Sequence, residues 1–224
     1  GETYNAWDMK SNLNFSYMFD DTNYNHPIGN WQINTGSNVL LNSIFRNTYA
    51  FNQDISSSVV TVGSNTYTAW DTKKNTNFFG MFYNSPFNKD ITNWNTVSGS
   101  DMTQMFRNNP AFNQNISSSV VTVGSETYNA WDTQNVTTFY QMFYQASAFN
   151  QDISNWNTSK ALSTNQMFRS SNFNQPINTN QVTVGGETYN AWDMKSNLNF
   201  SYMFDDTNYN HPIGNWQINT GSNV

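Results

Sequence analysis

A Met-Phe pair, replaced once by Ile-Phe, recurs along the whole chain, with its phenylalanine at Phe19, Phe45, Phe82, Phe106, Phe143, Phe168 and Phe204. The intervals are 26, 37, 24, 37, 25 and 36 residues. Five or six residues after each comes an aromatic-Asn pair, whose asparagines are Asn25, Asn52, Asn88, Asn113, Asn150, Asn174 and Asn210. An isoleucine stands three residues beyond each of these, at Ile28, Ile55, Ile91, Ile116, Ile153, Ile177 and Ile213. This constrains the fold more than any bulk property does: a unit of about 25 residues cannot bury its own apolar face and must be covered by its neighbours.

The alternation of short and long intervals has one local cause. In short units a Trp follows the Ile by three residues (Ile28/Trp31, Ile91/Trp94, Ile153/Trp156, Ile213/Trp216); in long ones it follows by fifteen (Ile55/Trp70, Ile116/Trp131, Ile177/Trp192). The extra segments, about 56–69, 117–130 and 178–191, combine β-branched residues, a Gly-Ser or Gly-Gly pair and a Thr-Tyr, a pattern that predicts a β-hairpin. Their strand residues Val60, Thr61 and Val62, Val121, Thr122 and Val123, and Val182, Thr183 and Val184 are candidate self-assembly contacts, because an exposed strand edge is a template for pairing with another chain. A longer period lies on top: residues 1–39 are identical to 186–224, an offset of 185. The chain reads as a window on a longer array of 185-residue units, one continuous stack of about seven coils over residues 1–224.

Asparagine occupies 40 positions and only 11% of residues are charged, yet 17% are aromatic, so the apolar core has to be built from rings. A net charge of -6 without a Lys/Arg cluster excludes the electrostatic footprint of a nucleic-acid binder. No apolar run approaches the roughly 18 residues of a membrane span, and the absence of cysteine excludes disulfides, thiolate metal sites and cysteine nucleophiles. The segment Phe149–Trp156 and its equivalents predict strands of a parallel sheet, spaced about 4.8 Å. Val136, Phe139 and Phe143 fall at near-helical spacing, which predicts one or two helical turns on the opposite wall.

The recurring asparagines are expected to form a ladder, their side-chain amides bonded to each other and to backbone along the stack, and the Phe, Ile, Met and Trp positions to fill the core. The carboxylates Asp54, Asp90 and Asp152, and Asp8, Asp71, Asp132 and Asp193, each repeat one environment, whereas carboxylate-pair catalysis needs two different ones; they are expected to cap turns. Asp20, Asp21, Asp205 and Asp206 are the first place to look for calcium, which takes clustered Asp and Asn oxygens; no other cofactor is expected. Sequons stand at Asn14, Asn115, Asn135, Asn157 and Asn199, and are candidate glycosylation sites.

The string from Met142-Phe143 through Ala146, Phe149-Asn150-Gln151-Asp152-Ile153-Ser154 and Trp156 to Thr158 resembles the BspA-like 26-residue surface-protein repeat, a domain of unknown function grouped with leucine-rich repeats. The resemblance runs through the chain except for the hairpin insertions. It implies a right-handed, leucine-rich-repeat-like solenoid on an extracellular, cell or virion surface, with no catalytic residues to carry over. Residues and resemblance together suggest no enzyme but a structural repeat of an extracellular or surface fibre or filament, its partner being itself. The alternative is an adhesin that binds carbohydrate, a host protein or a cell surface through exposed Tyr, Asn and Asp; the exact repetition of surface residues favours the structural reading.

Overall fold

The structure, a computed structural model, describes residues 9, 12, 14–33 and 39–218. Trp7, Asp8 and most of the first copy of the duplicated segment before Asn14 lie outside the described residues. Among the described residues eight short strands are formed: β1 (Val39–Leu40), β2 (Ser58–Val62), β3 (Asn65–Ala69), β4 (Asn75–Asn77), β5 (Ser119–Val123), β6 (Glu126–Ala130), β7 (Asn180–Val184) and β8 (Glu187–Ala191). They make four separate two-stranded sheets: the antiparallel hairpins β2–β3, β5–β6 and β7–β8, and the parallel pair β1–β4. Among the described residues there is no helix, and hence none long and apolar enough to cross a membrane.

The expected right-handed, leucine-rich-repeat-like solenoid, with a parallel sheet on one wall and helical turns on the other, is therefore corrected on both walls. The helical turns fail for a backbone reason. In every Met-Phe segment the residues two before and two after the phenylalanine have positive φ, for example Gln104 (57°) and Asn108 (53°) around Phe106, and Gln141 (54°) and Gln145 (55°) around Phe143. A left-handed residue reverses the direction of the turn and ends a right-handed helix after one hydrogen bond. The amides consequently alternate. Those of Met105 and Arg107 close turns onto Met102 and Gln104, while those of Met102, Gln104, Phe106 and Asn108 leave the repeat and donate to Thr138, Tyr140, Met142 and Tyr144 of the next. The apolar spacing that imitates a helix comes from this succession of turns.

The parallel sheet fails because the Phe-Asn…Ile…Trp segment pairs with its neighbours through side chains. Asn52 N–H donates to Asn25 Oδ1 (3.0 Å), Asn88 to Asn52 (2.9 Å), Asn113 to Asn88 (3.0 Å), Asn150 to Asn113 (3.0 Å), Asn174 to Asn150 (2.8 Å) and Asn210 to Asn174 (3.0 Å). Each asparagine thus takes the bond that a strand would have made with a carbonyl, and none of them is buried. Outside β1–β4, parallel backbone pairing shrinks to single bridges, such as Asp101↔Thr138 and Thr138↔Ser163.

Burial is concentrated in three columns of rings. Phe19, Phe45, Phe82, Phe106, Phe143, Phe168 and Phe204 stack at centroid separations of 5.5–5.9 Å. Beside them run Tyr24, Phe51, Phe87, Phe112, Phe149, Phe173 and Tyr209, each 3.8–4.1 Å from the Phe of its own repeat. The third column is tryptophan, with each indole N–H donating to the isoleucine carbonyl of the preceding repeat: Trp70 to Ile28, Trp94 to Ile55, Trp131 to Ile91, Trp156 to Ile116, Trp192 to Ile153 and Trp216 to Ile177, all at 2.8–2.9 Å. Ile28, Ile55, Ile91, Ile116, Ile153 and Ile177 are buried, whereas Ile213 is 38% exposed. Offset rings and buried indole bonds supply the apolar burial that the scarce aliphatic residues cannot.

The left-handed turns give a test with a sign. Ser170 has φ 54°, and its amide donates to Asp205. Relief of left-handed strain makes Ser170→Gly more stable by about 0.5–1 kcal/mol in urea unfolding, with no gain for Ser170→Ala. A helical segment would give the reverse, with glycine about 1 kcal/mol worse than alanine.

Candidate interaction surfaces

The residue after each core phenylalanine forms a fourth column, and its chemistry alternates: Asp20, Arg46, Tyr83, Arg107, Tyr144, Arg169, Asp205. These are the chain's only three arginines. Arg107 lies 5.4 Å from the Tyr83 ring centre and 4.7 Å from that of Tyr144; Arg46 lies 5.7 Å from Tyr83 and Arg169 5.9 Å from Tyr144. At the ends, Arg46 meets Asp20 at 3.9 Å and Arg169 meets Asp205 at 2.9 Å. A guanidinium sandwiched between two phenols is held by the negative faces of both rings, at about 0.5–1 kcal/mol each. Two positions before the phenylalanines, Gln104, Gln141 and Gln166 hand amide hydrogens along the same direction (2.8 and 2.6 Å), and Arg107 also donates to Gln141. Reading the repeat at its apolar positions misses this column, although aligning the residue that follows each Phe brings it out.

The calcium candidates fall within this network. Asp20 accepts from Asn47 (3.3 Å) and faces Arg46; Asp21 accepts from the Tyr49 hydroxyl (2.8 Å). Asp205 is paired with Arg169, and Asp206 is exposed. Asp20 and Asp205 thus face a guanidinium, and among the described residues no group of three acidic or histidine side chains converges. The other recurring carboxylates close local turns: Asp54, Asp90 and Asp152 accept from the amides of Ser56, Thr92 and Ser154, and Asp71, Asp132 and Asp193 from those of Lys73, Gln134 and Lys195.

The hairpins form a row. Each turn has glycine at its first central position, Gly63, Gly124 and Gly185, with φ of 62°, 61° and 58°, as primed hairpin turns require. Successive hairpins touch: a Cβ on Gly124 would lie 2.6 Å from Val59 Cγ2, and one on Gly185 would overlap the Asn129 amide. Of the candidate assembly residues, Val60, Val121 and Val182 pack towards the core, and Val62, Val123 and Val184 are half-buried. Thr61, Thr122 and Thr183 face outwards and pair with Thr66, Thr127 and Thr188 across each hairpin. Val59 and Val120, about half exposed, are the outward apolar residues of the first two hairpins.

A tyrosine latches each hairpin onto the short repeat before it: Tyr67 to the Asn30 carbonyl (2.5 Å), Tyr128 to Asn93 (2.5 Å) and Tyr189 to Asn155 (2.6 Å). Burial, reinforced by nearby Asp71, pushes the Tyr128 phenol up to about 12, and burial raises Tyr189 likewise. Between the second and third hairpins lies a cleft of about 370 Å³, lined by Glu126, Tyr128, Asp132, Gln134 and Glu187 among others, where burial pushes the Asp132 carboxyl up.

The sequons differ in availability. Asn14, Asn115 and Asn199 are exposed. Asn157 is half-buried, and its Oδ1 accepts from Ser159. The nitrogen of Asn135, which a glycan would occupy, donates to Val97 O (2.8 Å), so modification there would break a contact between repeats.

These features define a turn-dominated β repeat protein whose recurring polar groups are used mainly between repeats. Residues 2–67 and 124–190, more than half of the chain, match the family described as Mycoplasma protein of unknown function, DUF285, and the chain belongs to that family. Each matched stretch spans two of the Phe-centred repeats, Phe19 with Phe45 and Phe143 with Phe168. No curated protein and no solved structure matches it.

The latch has an alkaline signature. A tyrosine with its pKa raised from 10.0 to about 12 in the folded state contributes stability that is fully present below pH 10 and is lost as pH rises through about 12. Tyr128→Phe removes one buried hydroxyl bond, about 1 kcal/mol at neutral pH. In urea unfolding followed from pH 9 to 12, the variant loses less stability over the upper two units than the parent.

Proposed function

We propose that the chain is a structural repeat of an extracellular or surface fibre or filament, stiffened by stacked rings and associating with itself. One observation carries this reading: successive repeats meet through two recurring sets of bonds, in which amides of the Met-Phe turns donate to carbonyls of the next repeat from Phe15→Leu40 through Ser170→Asp205, while the asparagine amides and the tryptophans donate to the preceding one. A repeat therefore has two different, mutually complementary faces, the condition for head-to-tail assembly. The Met142–Thr158 string, through its likeness to the BspA-like 26-residue surface repeat, supports a place on the outside of a cell or virion. Axial rigidity follows from the same geometry, since bending would open ring stacks and amide bonds together.

A second reading, an adhesin, is favoured by the cleft between the second and third hairpins, whose aromatic, amide and carboxylate lining suits a carbohydrate. The two are separated by sedimentation velocity over a range of concentrations, alongside glycan-array binding. The structural reading expects elongated oligomers that grow with concentration and no preferred glycan. A monomer at every concentration with one preferred sugar would overturn it.

A further inference from the structure

We infer that Lys160 and Asn135 join through their side chains in an isopeptide bond, which ties two successive repeats covalently. This goes beyond the proposed function, since the bond lies within one chain whatever that chain assembles with. The two residues stand eight places before Phe168 and Phe143, so stacking of the repeats sets them side by side. Of the seven residues at this place in the repeats, four are serine, two are lysine and Asn135 is the one carboxamide. The other lysine, Lys74, has Ser37 and Ser98 at this place in the repeats on either side of it. A lysine therefore meets a carboxamide once in the column.

Bonds between the two repeats hold this pair in register from both sides. Thr133 Oγ1 donates to Asn157 O (3.1 Å) shortly before it, and the Leu162 amide donates to Thr137 O (2.8 Å) shortly after. The Lys160 ammonium donates to Asn135 Oδ1 at 2.7 Å, which places Nζ less than about 4 Å from Cγ, because a C=O bond is about 1.2 Å long. Asn135 Nδ2 donates the other way, to Val97 O (2.8 Å), so the carboxamide is held by a bond at each end. The flexible lysine stem has the freedom to carry Nζ from the edge of that plane to its face. The stack thus supplies the proximity that amide exchange lacks in free solution. A carboxylate completes the set. Asp132 opens the turn that carries Asn135, its Oδ1 accepting from the Gln134 amide (3.0 Å), and Lys160 is among the charges that act on it. Burial pushes the Asp132 carboxyl up and so makes it a better proton acceptor.

The step balances without a co-reactant. Asp132 takes one proton from the Lys160 ammonium, and the free amine attacks Asn135 Cγ. As the Nζ–Cγ bond forms, the Cγ–Nδ2 bond breaks. Asp132 returns its proton to the leaving nitrogen, which also receives the second proton that Nζ gives up, and ammonium departs. Lys160 keeps one N–H as part of a secondary amide, the positive charge leaves with the ammonium, and nothing is oxidised. A linked Asn135 has no Nδ2 left for a glycan, so this bond and use of the Asn135 sequon exclude each other.

The test is the intact mass of the 224-residue chain before and after prolonged incubation in mildly alkaline buffer, with fragmentation of its tryptic peptides and circular dichroism as the folding control. The parent loses the mass of one ammonia, trypsin stops cutting after Lys160, and the loss maps to a branch from Asn135 to Lys160. Lys160→Arg keeps a hydrogen-bond donor without a nucleophilic amine, and Asn135→Ser puts the commonest residue of the column in its place; both retain their full mass. Asp132→Asn slows the loss at least about tenfold. A parent that retains its full mass overturns the inference. An ammonia loss that persists in Lys160→Arg overturns it too, since it reports an asparagine closing on its own backbone. Reaction of Asp132→Asn at the parent rate would overturn the role given to Asp132. If Asp132→Asn unfolds, the parent and Lys160→Arg, which alters an exposed side chain, decide.

Discussion

Everything in this structure depends on a division of labour among the amides of the Met-Phe turn. One amide closes a turn within the repeat and the next leaves it to bond the following repeat, as Met105 and Phe106 do with Met102 and Met142. Left-handed residues on both sides of the phenylalanine enforce the alternation. Each non-glycine residue of this kind costs about 1 kcal/mol or somewhat more, so the arrangement persists only because a neighbouring repeat accepts the freed donors. Local backbone strain and inter-repeat bonding are two sides of one constraint.

That constraint organises the side chains. Once the turns are in register, the phenylalanines fall on one another at 5.5–5.9 Å, and the indoles reach isoleucine carbonyls one repeat away. The same register brings arginine over tyrosine in the column beside the core, so the three arginines of a chain poor in charge all serve contacts between repeats. The hairpins add a further layer. Their tyrosines hold them to the preceding short repeat, and the glycine turns let one hairpin approach the next. Each repeat thus meets the one before it and the one after it through different, mutually complementary faces, and this underlies the fibre reading.

Much of this is legible along the chain, and some of it is not. The Phe, Asn, Ile and Trp spacings are visible by eye, and each of those positions occupies one recurrent place in the structure. The hairpin segments announce themselves by Val-Thr-Val, a glycine pair or Gly-Ser, and Thr-Tyr, and three antiparallel hairpins form there. The turns are hidden, because the left-handed positions carry Tyr, Ser, Gly, Gln, Asp and Asn, and only Gly80 advertises its conformation. Val136, Phe139 and Phe143 therefore resemble one face of a helix when they are the inward residues of successive turns. The recurring asparagine suggested a ladder of amides bonded to each other and to backbone; what the spacing does not reveal is that its oxygen takes the backbone N–H of the next asparagine at a partly exposed site.

By itself, then, the sequence determined the repeat: its period, the residues it must bury, the places where a hairpin is inserted and the identity of its two duplicated ends. Those properties are carried by residue type and spacing, which survive in one dimension. Only the tertiary structure decided how the backbone passes from one buried residue to the next, as left-handed turns rather than helix and as asparagine-bridged segments rather than parallel strands. The physical reason is that the amides that leave the turn find their partners 23–39 residues away, in another repeat, where no local propensity can report them.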